Sequence, residues 1–378
     1  MRDFWWSLPG PSSYVERIVG GLSDGQNSIV IIPKNETRGL RAAIQEKLEE
    51  IRLFTSINFD YINQTGLPPA RYIHEIYEDD LDSTRVLNAK SLAELDSFCG
   101  KTVWIENVDI NELHIWYDFL RQYQHACQCH EAYNRGTICL LVSQGTALGL
   151  PTQDVALTLH FWNGVVGRVD ISTYIESVNK YTDSSHFLRR LKTAIVTELA
   201  LSDIKLAIDL SAYSLKVLID NPQIALLGDD IYKIRTNYST ESADIENNMM
   251  LSIDGTMLKH SSVLALEGNF DEIKRRVWAA QIAVLFPALE QARIRLLNDD
   301  VNGFLSLPFS NGYEEINELF GLELGHIWFQ IKCQTVPSTL KTLVYNLRKM
   351  RISLAHLTPV EYELISNPQV LKYLSGNT

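Results

Sequence analysis

The fold is decided by the stretch Ser28-Ile29-Val30-Ile31-Ile32-Pro33, a continuous run of apolar residues that ends at proline. Such short runs are typical of strands that are buried on both faces of a parallel sheet. A polar loop follows at 34–39, and an amphipathic helix is predicted from 40 to about 51. The order of strand, polar loop and helix predicts the first unit of an α/β domain.

Further apolar runs of strand length follow along the N-terminal part of the chain. They lie at 53–57, 102–106, 137–143 and 156–161. A helix is predicted over roughly 111–130, between the third and fourth strands. Because strands alternate with helices, we expect an α/β domain with a parallel sheet over residues 1–165.

The rest of the chain is predicted to be helical. Residues 166–264 contain amphipathic stretches at 170–180 and 187–210 and are expected to form a helical lid or linker subdomain. Residues 265–378 are expected to form an all-α bundle. Its longest helix, over 270–298, has apolar residues at helical spacing: Ile273, Val277, Ala280, Val284, Ala288, Ala292 and Leu296.

Charge, hydropathy and the number of cysteines limit the classes of function and the cellular compartment that are expected for this chain. The chain carries a net charge of −12, but residues 271–378 hold 11 Lys and Arg against 11 Asp and Glu. The overall negative charge therefore excludes an extended surface that binds nucleic acid without sequence preference. The balanced charge of residues 271–378 is compatible with a local site for a phosphate group. The absence of a long apolar run predicts no membrane span, and no signal peptide is recognised, so we expect a cytoplasmic protein. An odd number of cysteines without zinc spacing predicts a reduced compartment and no bound metal.

A late helix carries the residues that are best suited to chemistry. It is predicted over 343–357 with an apolar stripe of Leu343, Leu347, Met350, Leu354 and Leu357, and it stops before Pro359. Arg351 and His356 are five residues apart, so they point about 140° away from each other on an ideal helix. An imidazole moves protons near neutral pH and a guanidinium holds a phosphate, so the pair suits phosphodiester cleavage. Three further cations would bind RNA beside the pair: Lys341, Arg348 and Lys349.

The N-terminal pattern resembles the P-loop NTPases of the AAA+/STAND type. The family motif, G-x-x-x-x-G-K-[ST], is replaced here by Pro33-Lys34-Asn35-Glu36-Thr37-Arg38-Gly39-Leu40, which lacks both the lysine before the hydroxyl residue and that hydroxyl. The resemblance implies that nucleotide or another anion would be contacted by Lys34, Arg38, Glu106, Asp109 and Ser143. The missing groups predict a degenerate domain that does not hydrolyse ATP. No cofactor is expected, and a switch that binds ATP without hydrolysing it is an alternative.

The C-terminal bundle resembles the HEPN superfamily, on the pattern Leu347-Arg348-x-x-Arg351-x-x-Leu354-Ala355-His356-Leu357. The resemblance covers roughly 265–375 and implies a metal-independent ribonuclease of prokaryotic defence or toxin systems, with Arg351 and His356 as the catalytic pair. It further implies a homodimer through the helical bundle and other subunits of a defence complex as partners. Ile352 departs from the family, which often has a polar residue there. The alternative is a non-catalytic scaffold or regulatory subunit.

Overall fold

The structure is a computed structural model that describes residues 2–33, 37–58, 68–78, 86–144, 147, 149–178, 185–228, 250–253, 255–310, 312 and 315–376. It divides into two compact units. The first unit contains the described residues up to Asp170 and those between 250 and 257. The second unit contains Ile171 to 228 and the described residues from Leu258 onward.

The first unit is an α/β domain in which helices and strands alternate. Its elements are α1 (Arg2–Trp6), α2 (Pro9–Ser23), β1 (Asn27–Ile32), α3 (Leu40–Leu48), β2 (Leu53–Asn58), α4 (Pro69–Tyr77), α5 (Ala89–Ala93), β3 (Lys101–Glu106), α6 (Leu113–Cys127), β4 (Thr137–Ser143) and β5 (Leu157–Phe161). The strands form one sheet in the order β2-β3-β4-β1-β5, and all neighbouring pairs are parallel. The predicted α/β domain with a parallel sheet is therefore confirmed.

Helices cover both faces of this sheet. On one face α2 packs against α3, whereas α4, α5 and α6 build the main apolar core on the other face. The connection after β1 contains α3, and the connection after β4 packs against the core on the α6 side. Since β1 and β4 are neighbours, the carboxyl ends of these two strands lie at the kind of position where open α/β sheets bind ligands.

His160 is a buried histidine in β5 whose protonation opposes folding. Its Nε2 lies 3.3 Å from Ser28 Oγ, and the Tyr14 hydroxyl donates a hydrogen bond of 3.0 Å to its backbone carbonyl. Burial, followed by the positive charge of Arg17, lowers the pKa of His160 from 6.5 to about 4. The imidazole is therefore neutral in the folded protein at neutral pH.

This histidine should make the stability of the α/β unit depend on pH. Below about pH 6.5 the unfolded chain takes up a proton at His160 that the folded chain accepts only near pH 4. We expect the free energy of unfolding to decrease by about 2 kcal/mol from this group between pH 7.5 and pH 5. Urea denaturation at the two pH values measures the decrease. His160→Gln should remove that part of it, and an unchanged pH dependence in the variant would contradict the prediction.

The remaining elements are helical apart from two short strand pairs. The helices are α7 (Arg168–Val178), α8 (His186–Ala200), α9 (Ile204–Ser211), α10 (Leu215–Asp220), α11 (Pro222–Leu226), α12 (Ser261–Leu266), α13 (Phe270–Arg295), α14 (Leu324–Ile331), α15 (Ser338–Ala355), α16 (Tyr362–Ser366) and α17 (Pro368–Ser375). The strand pairs are β6 (Met250–Ile253) with β7 (Thr256–Lys259), and β8 (Phe309–Ser310) with β9 (Glu315–Ile316). The helical C-terminal region is confirmed, with the β8–β9 pair as a small correction to the all-α prediction.

The long helix α13 is the centre of the second unit, and its sequence explains its length. Asn269 caps its N-terminus by accepting a hydrogen bond from the Glu272 amide, acidic residues occupy the first turn and arginines the last. These charges complement the helix dipole at both ends. The apolar residues predicted at helical spacing, from Ile273 to Leu296, are all buried. A π-helical turn at Leu296–Asp300 follows the helix.

Two sequence predictions about the middle of the chain differ from the structure. The predicted helix at 187–210 is wrong, because α8 ends at Ala200 and Leu201 adopts a left-handed φ of 58°. Asp203 then caps α9 by accepting a hydrogen bond from the Leu206 amide. The predicted division into 1–165, 166–264 and 265–378 also differs, because α8 packs along α13 and shares its core, so residues 171–228 belong to the same unit as the C-terminal helices.

Candidate functional site

The helix that carries the candidate catalytic pair is α15. It starts directly after Pro337 and buries one stripe of side chains, namely Leu343, Val344, Leu347, Met350 and Leu354. Four of the five residues predicted to form the apolar stripe are therefore buried. Leu357 is the exception, since its side chain is 60% exposed and lies beyond the helix. Packing of the stripe against α13 and α14 holds the helix in a defined orientation.

Arg351 lies at the edge of α15 beside α13. Its guanidinium carbon stands 4.6 Å from the centre of the Phe286 ring, and its Nε lies 3.6 Å from a Glu290 carboxylate oxygen. Neither of these last two atoms makes a hydrogen bond within the described residues. The side chain is 30% exposed. The Phe286 ring and the Glu290 carboxylate thus orient the guanidinium, and part of the side chain is accessible to solvent.

His356 occupies the C-cap position of α15, and its side chain is exposed. The chain turns sharply after it, because the amide of Thr358 bonds to the Ser353 carbonyl and the amide of Leu357 bonds to the Leu354 carbonyl. These two hydrogen bonds form a Schellman motif, in which the residue after the cap adopts a left-handed conformation. Here that residue is Leu357, with a φ of 57°. The position of the imidazole is therefore set by the end of the helix.

Leu357 is an unfavourable residue for this conformation, which normally favours glycine. We expect Leu357→Gly to raise the free energy of unfolding by about 0.5–1 kcal/mol, because the strain of a left-handed leucine is larger than the entropy that glycine adds to the unfolded chain. Thermal unfolding of the purified variant measures the gain. Leu357→Ala is the control, since alanine retains the Cβ and should give no gain. An equal gain in both variants would show that removal of the exposed leucine side chain, and not relief of strain, is the cause.

Hydrogen bonds from two side chains of α13 hold the chain on either side of His356. The Gln281 side chain is fully buried, donates a hydrogen bond of 2.8 Å to the Val360 carbonyl and accepts one of 2.6 Å from the Val360 amide. The Trp278 indole donates to the Leu354 carbonyl over 2.8 Å. Both contacts join positions about eighty residues apart in the chain, so sequence analysis did not identify them.

The predicted RNA-binding cations lie on the same helix as the pair. Lys349 is exposed and Arg348 is partly exposed. Lys341 Nζ donates a hydrogen bond of 3.1 Å to the Lys332 carbonyl, which uses one of its three protons. Lys349 lies seven residues before His356, about two helical turns away. The three cations are thus at least partly exposed on α15, and the last turn of the helix before His356 contains no basic residue.

The predicted nucleotide-contacting residues of the α/β unit are mostly engaged within the protein. Lys34 lies outside the described residues. Glu106 forms an ion pair of 2.7 Å with Arg41 and accepts a hydrogen bond of 2.9 Å from the Trp104 indole. Asp109 accepts hydrogen bonds from the Asn111 amide and side chain. Arg38 is exposed, and Ser143 lies at the end of β4, opposite Ile32 at the end of β1.

The α/β unit contains a buried histidine network that was not predicted from the sequence. The fully buried His74 places Nδ1 2.5 Å from Glu78 and Nε2 3.3 Å from Ser91 Oγ. This order of serine, histidine and carboxylate resembles a nucleophilic triad in composition. However, Ser91 Oγ also accepts from the Asn88 amide and donates to the Asn88 carbonyl, as part of the capping box of α5. The hydroxyl is committed to the helix cap, so the network is structural.

The described residues contain no group of three His, Cys, Asp or Glu side chains that could hold a metal ion. In the same residues, no helix is both long enough and apolar enough to cross a bilayer. No protein-family model matches the chain, and a search of curated proteins finds no significant match.

Proposed function

We propose that the protein is a cytoplasmic effector of the bacterial anti-phage or toxin type, with a metal-independent HEPN ribonuclease site in its helical unit and a degenerate NTPase-like α/β unit that regulates it. One observation carries the proposal. The His356 imidazole is exposed at the end of a well-packed helix that also carries the exposed Lys349 and the partly exposed Arg348 and Arg351. An imidazole that is exposed in this way is accessible to a substrate and can exchange protons with it.

His356 would act as general base on the ribose 2′-hydroxyl or as general acid on the leaving oxygen. Arg351 would stabilise the charge that develops on the phosphate, since a guanidinium offers fixed donors to phosphate oxygens. Arg348, Lys349 and Lys341 would contact the RNA backbone. Phe286 and Glu290 would position Arg351 from the side of α13.

The geometry of the helix supports a homodimer as the active form. Arg351 and His356 of one copy point about 140° apart on a regular helix, so one copy does not direct both at the same phosphate. Two copies related by a twofold axis would bring Arg351 of one helix towards His356 of the other. The exposed Ile352 lies between the two residues and would be covered in such a pair.

The α/β unit is proposed to regulate without hydrolysing ATP. The loop after β1 has no lysine and hydroxyl at the positions that bind phosphate and magnesium in P-loop enzymes. Glu106 is held by Arg41 and the Trp104 indole. The exposed Arg38 would allow weak anion or nucleotide binding at most.

A second candidate function is a non-catalytic scaffold or regulatory subunit of a multiprotein defence complex. A different observation supports it. Arg351 packs on the Phe286 ring and faces Glu290, which is also a structural environment for an arginine. In that case the helical unit would serve for assembly with RNA-processing or sensor subunits.

The test is cleavage of labelled bacterial RNA by the purified full-length protein in the presence of EDTA. We expect His356→Ala and Arg351→Ala each to reduce the cleavage rate at least about 100-fold, the usual contribution of a general acid or base or of a charge-stabilising donor. The control is His114→Ala, which removes an exposed histidine of the α/β unit. Cleavage that persists in both variants or that requires a divalent metal would contradict the proposal. A complete lack of cleavage together with stable complex formation would favour the scaffold.

A further inference from the structure

A cavity of about 410 Å³ lies in the helical unit between the first turn of α8, the middle of α13 and the end of α17. Its volume is in the range of sites that bind small molecules. All the residues that line it belong to the second unit. Arg351 and His356 are not among them, so the cavity is distinct from the proposed ribonuclease site.

One wall of the cavity carries two arginines and a histidine. It is formed by His186, Arg189 and Arg190, which are spaced three and four residues apart and therefore share one side of α8. None of the described residues that line the cavity is an Asp or a Glu. Within the described part of the chain, neither arginine forms an ion pair, and the buried Nε of Arg189 has no hydrogen-bond partner. A buried guanidinium N–H without an acceptor is costly, which points to an anionic ligand.

The first turn of α8 adds a second donor group to the same wall. Ser185, at the N-cap position, lines the cavity, and its side chain makes no capping hydrogen bond. The first backbone amides of a helix have no partner within the helix, and the positive end of the dipole favours an anion at this point. The helix is 15 residues long, so its dipole is well developed.

The rest of the described lining is largely apolar. Apolar surface comes from Phe187 of α8, Val284, Pro287 and Ala288 of α13 and Leu374 of α17, and Gln291 and Ser375 add polar groups. Pro287 stands inside α13, where it presents a ring with no N–H to the cavity. A phosphate alone would leave this surface empty, whereas an organic phosphate with a flat ring would fill it.

We propose that this cavity binds a nucleoside monophosphate group. The phosphate is bound by Arg189, Arg190 and the first amides of α8, and the base packs against Phe187 and Pro287. The group belongs either to a free nucleotide or to the 5′-terminal nucleotide of an RNA, since both present the same phosphate and base. The proposal does not depend on the ribonuclease activity.

Isothermal titration calorimetry of the full-length protein tests the proposal with AMP, GMP, CMP and UMP as probes. We expect at least one of them to bind at least about tenfold more tightly than its own nucleoside and than inorganic phosphate. An RNA oligonucleotide with a 5′-phosphate, compared with the same oligonucleotide with a 5′-hydroxyl, separates the two sources. Failure of all four nucleotides and of the phosphorylated oligonucleotide to bind overturns the proposal, as does binding of nucleoside and nucleotide with equal affinity.

Variants locate the binding in the cavity. Arg189→Ala and Arg190→Ala should each weaken binding at least about tenfold. Ser375→Trp leaves both arginines in place and fills the margin of the cavity, so it should also weaken binding. Lys274→Ala is the matched control, because it removes an exposed cation of α13 that does not line the cavity. Thermal unfolding verifies that each variant is folded, and unchanged binding in all three cavity variants overturns the assignment.

Discussion

Gln281→Leu should lower the free energy of unfolding of the helical unit by about 3–5 kcal/mol. The side chain is completely buried, and its two hydrogen bonds satisfy both the amide and the carbonyl of Val360. Leucine has a similar volume but leaves both backbone groups unpaired in the core, and each buried unpaired group costs about 1–3 kcal/mol. Stability is reduced further because the hydrogen bonds of Val360 to Gln281 also hold the turn that follows His356 against α13.

Urea denaturation followed by circular dichroism measures this change. Gln291→Leu, an exposed position on the same helix, is the control and should change stability by less than about 0.5 kcal/mol. Amide hydrogen exchange gives a local readout, because the Val360 amide should exchange much faster in Gln281→Leu than in the wild type. Equal stability of the two variants would show that the chain around Val360 rearranges and finds other hydrogen-bond partners.

Asn27→Leu should destabilise the α/β unit by about 2–4 kcal/mol. Asn27 begins β1 and is fully buried, with its Oδ1 accepting from the Ile138 amide over 2.9 Å and its Nδ2 donating to the Ala156 carbonyl over 3.0 Å. One side chain thus joins the starts of three neighbouring strands. Leucine fills the space but leaves the Ile138 amide without an acceptor and removes one donor from Ala156.

The same denaturation experiment tests this second prediction at pH 7.5, where His160 is neutral in both states. Asn134→Leu is the control, because Asn134 is exposed in a short turn of the same unit. A loss of less than about 1 kcal/mol in Asn27→Leu would mean that water or a shifted strand end replaces the lost hydrogen bonds.

Several features could be predicted because they depend on residues close together in the sequence. The five strands were predicted from short apolar runs. The reason applies best to the central strands β1, β3 and β4, because a strand buried on both faces cannot carry many polar residues, whereas the edge strands β2 and β5 are partly exposed. The buried face of α13 was predicted from apolar spacing alone. The break at Leu201 was not predicted, because the apolar pattern continues through it, and only Ser202-Asp203 signals a new cap.

Only the local part of the candidate site could be predicted, because its other residues come from distant parts of the sequence. Arg351 and His356 were identified from local chemistry and spacing, and their functional roles stay a prediction. Phe286 and Glu290, which position Arg351, lie more than sixty residues earlier in the chain. Arg41 and Glu106 are likewise joined across 65 positions. Such contacts follow from how the elements pack, and no local pattern records them.

The sequence by itself determined the α/β class of the first unit, the helical character of the second and the helix that carries Arg351 and His356. Only the tertiary structure decided the strand order, the packing of α8 along α13, the enclosure of Gln281 and the cavity beside Arg189. The physical reason is that backbone propensity and apolar periodicity act over a few residues. The burial and pairing of polar groups, in contrast, depend on which distant segments come together.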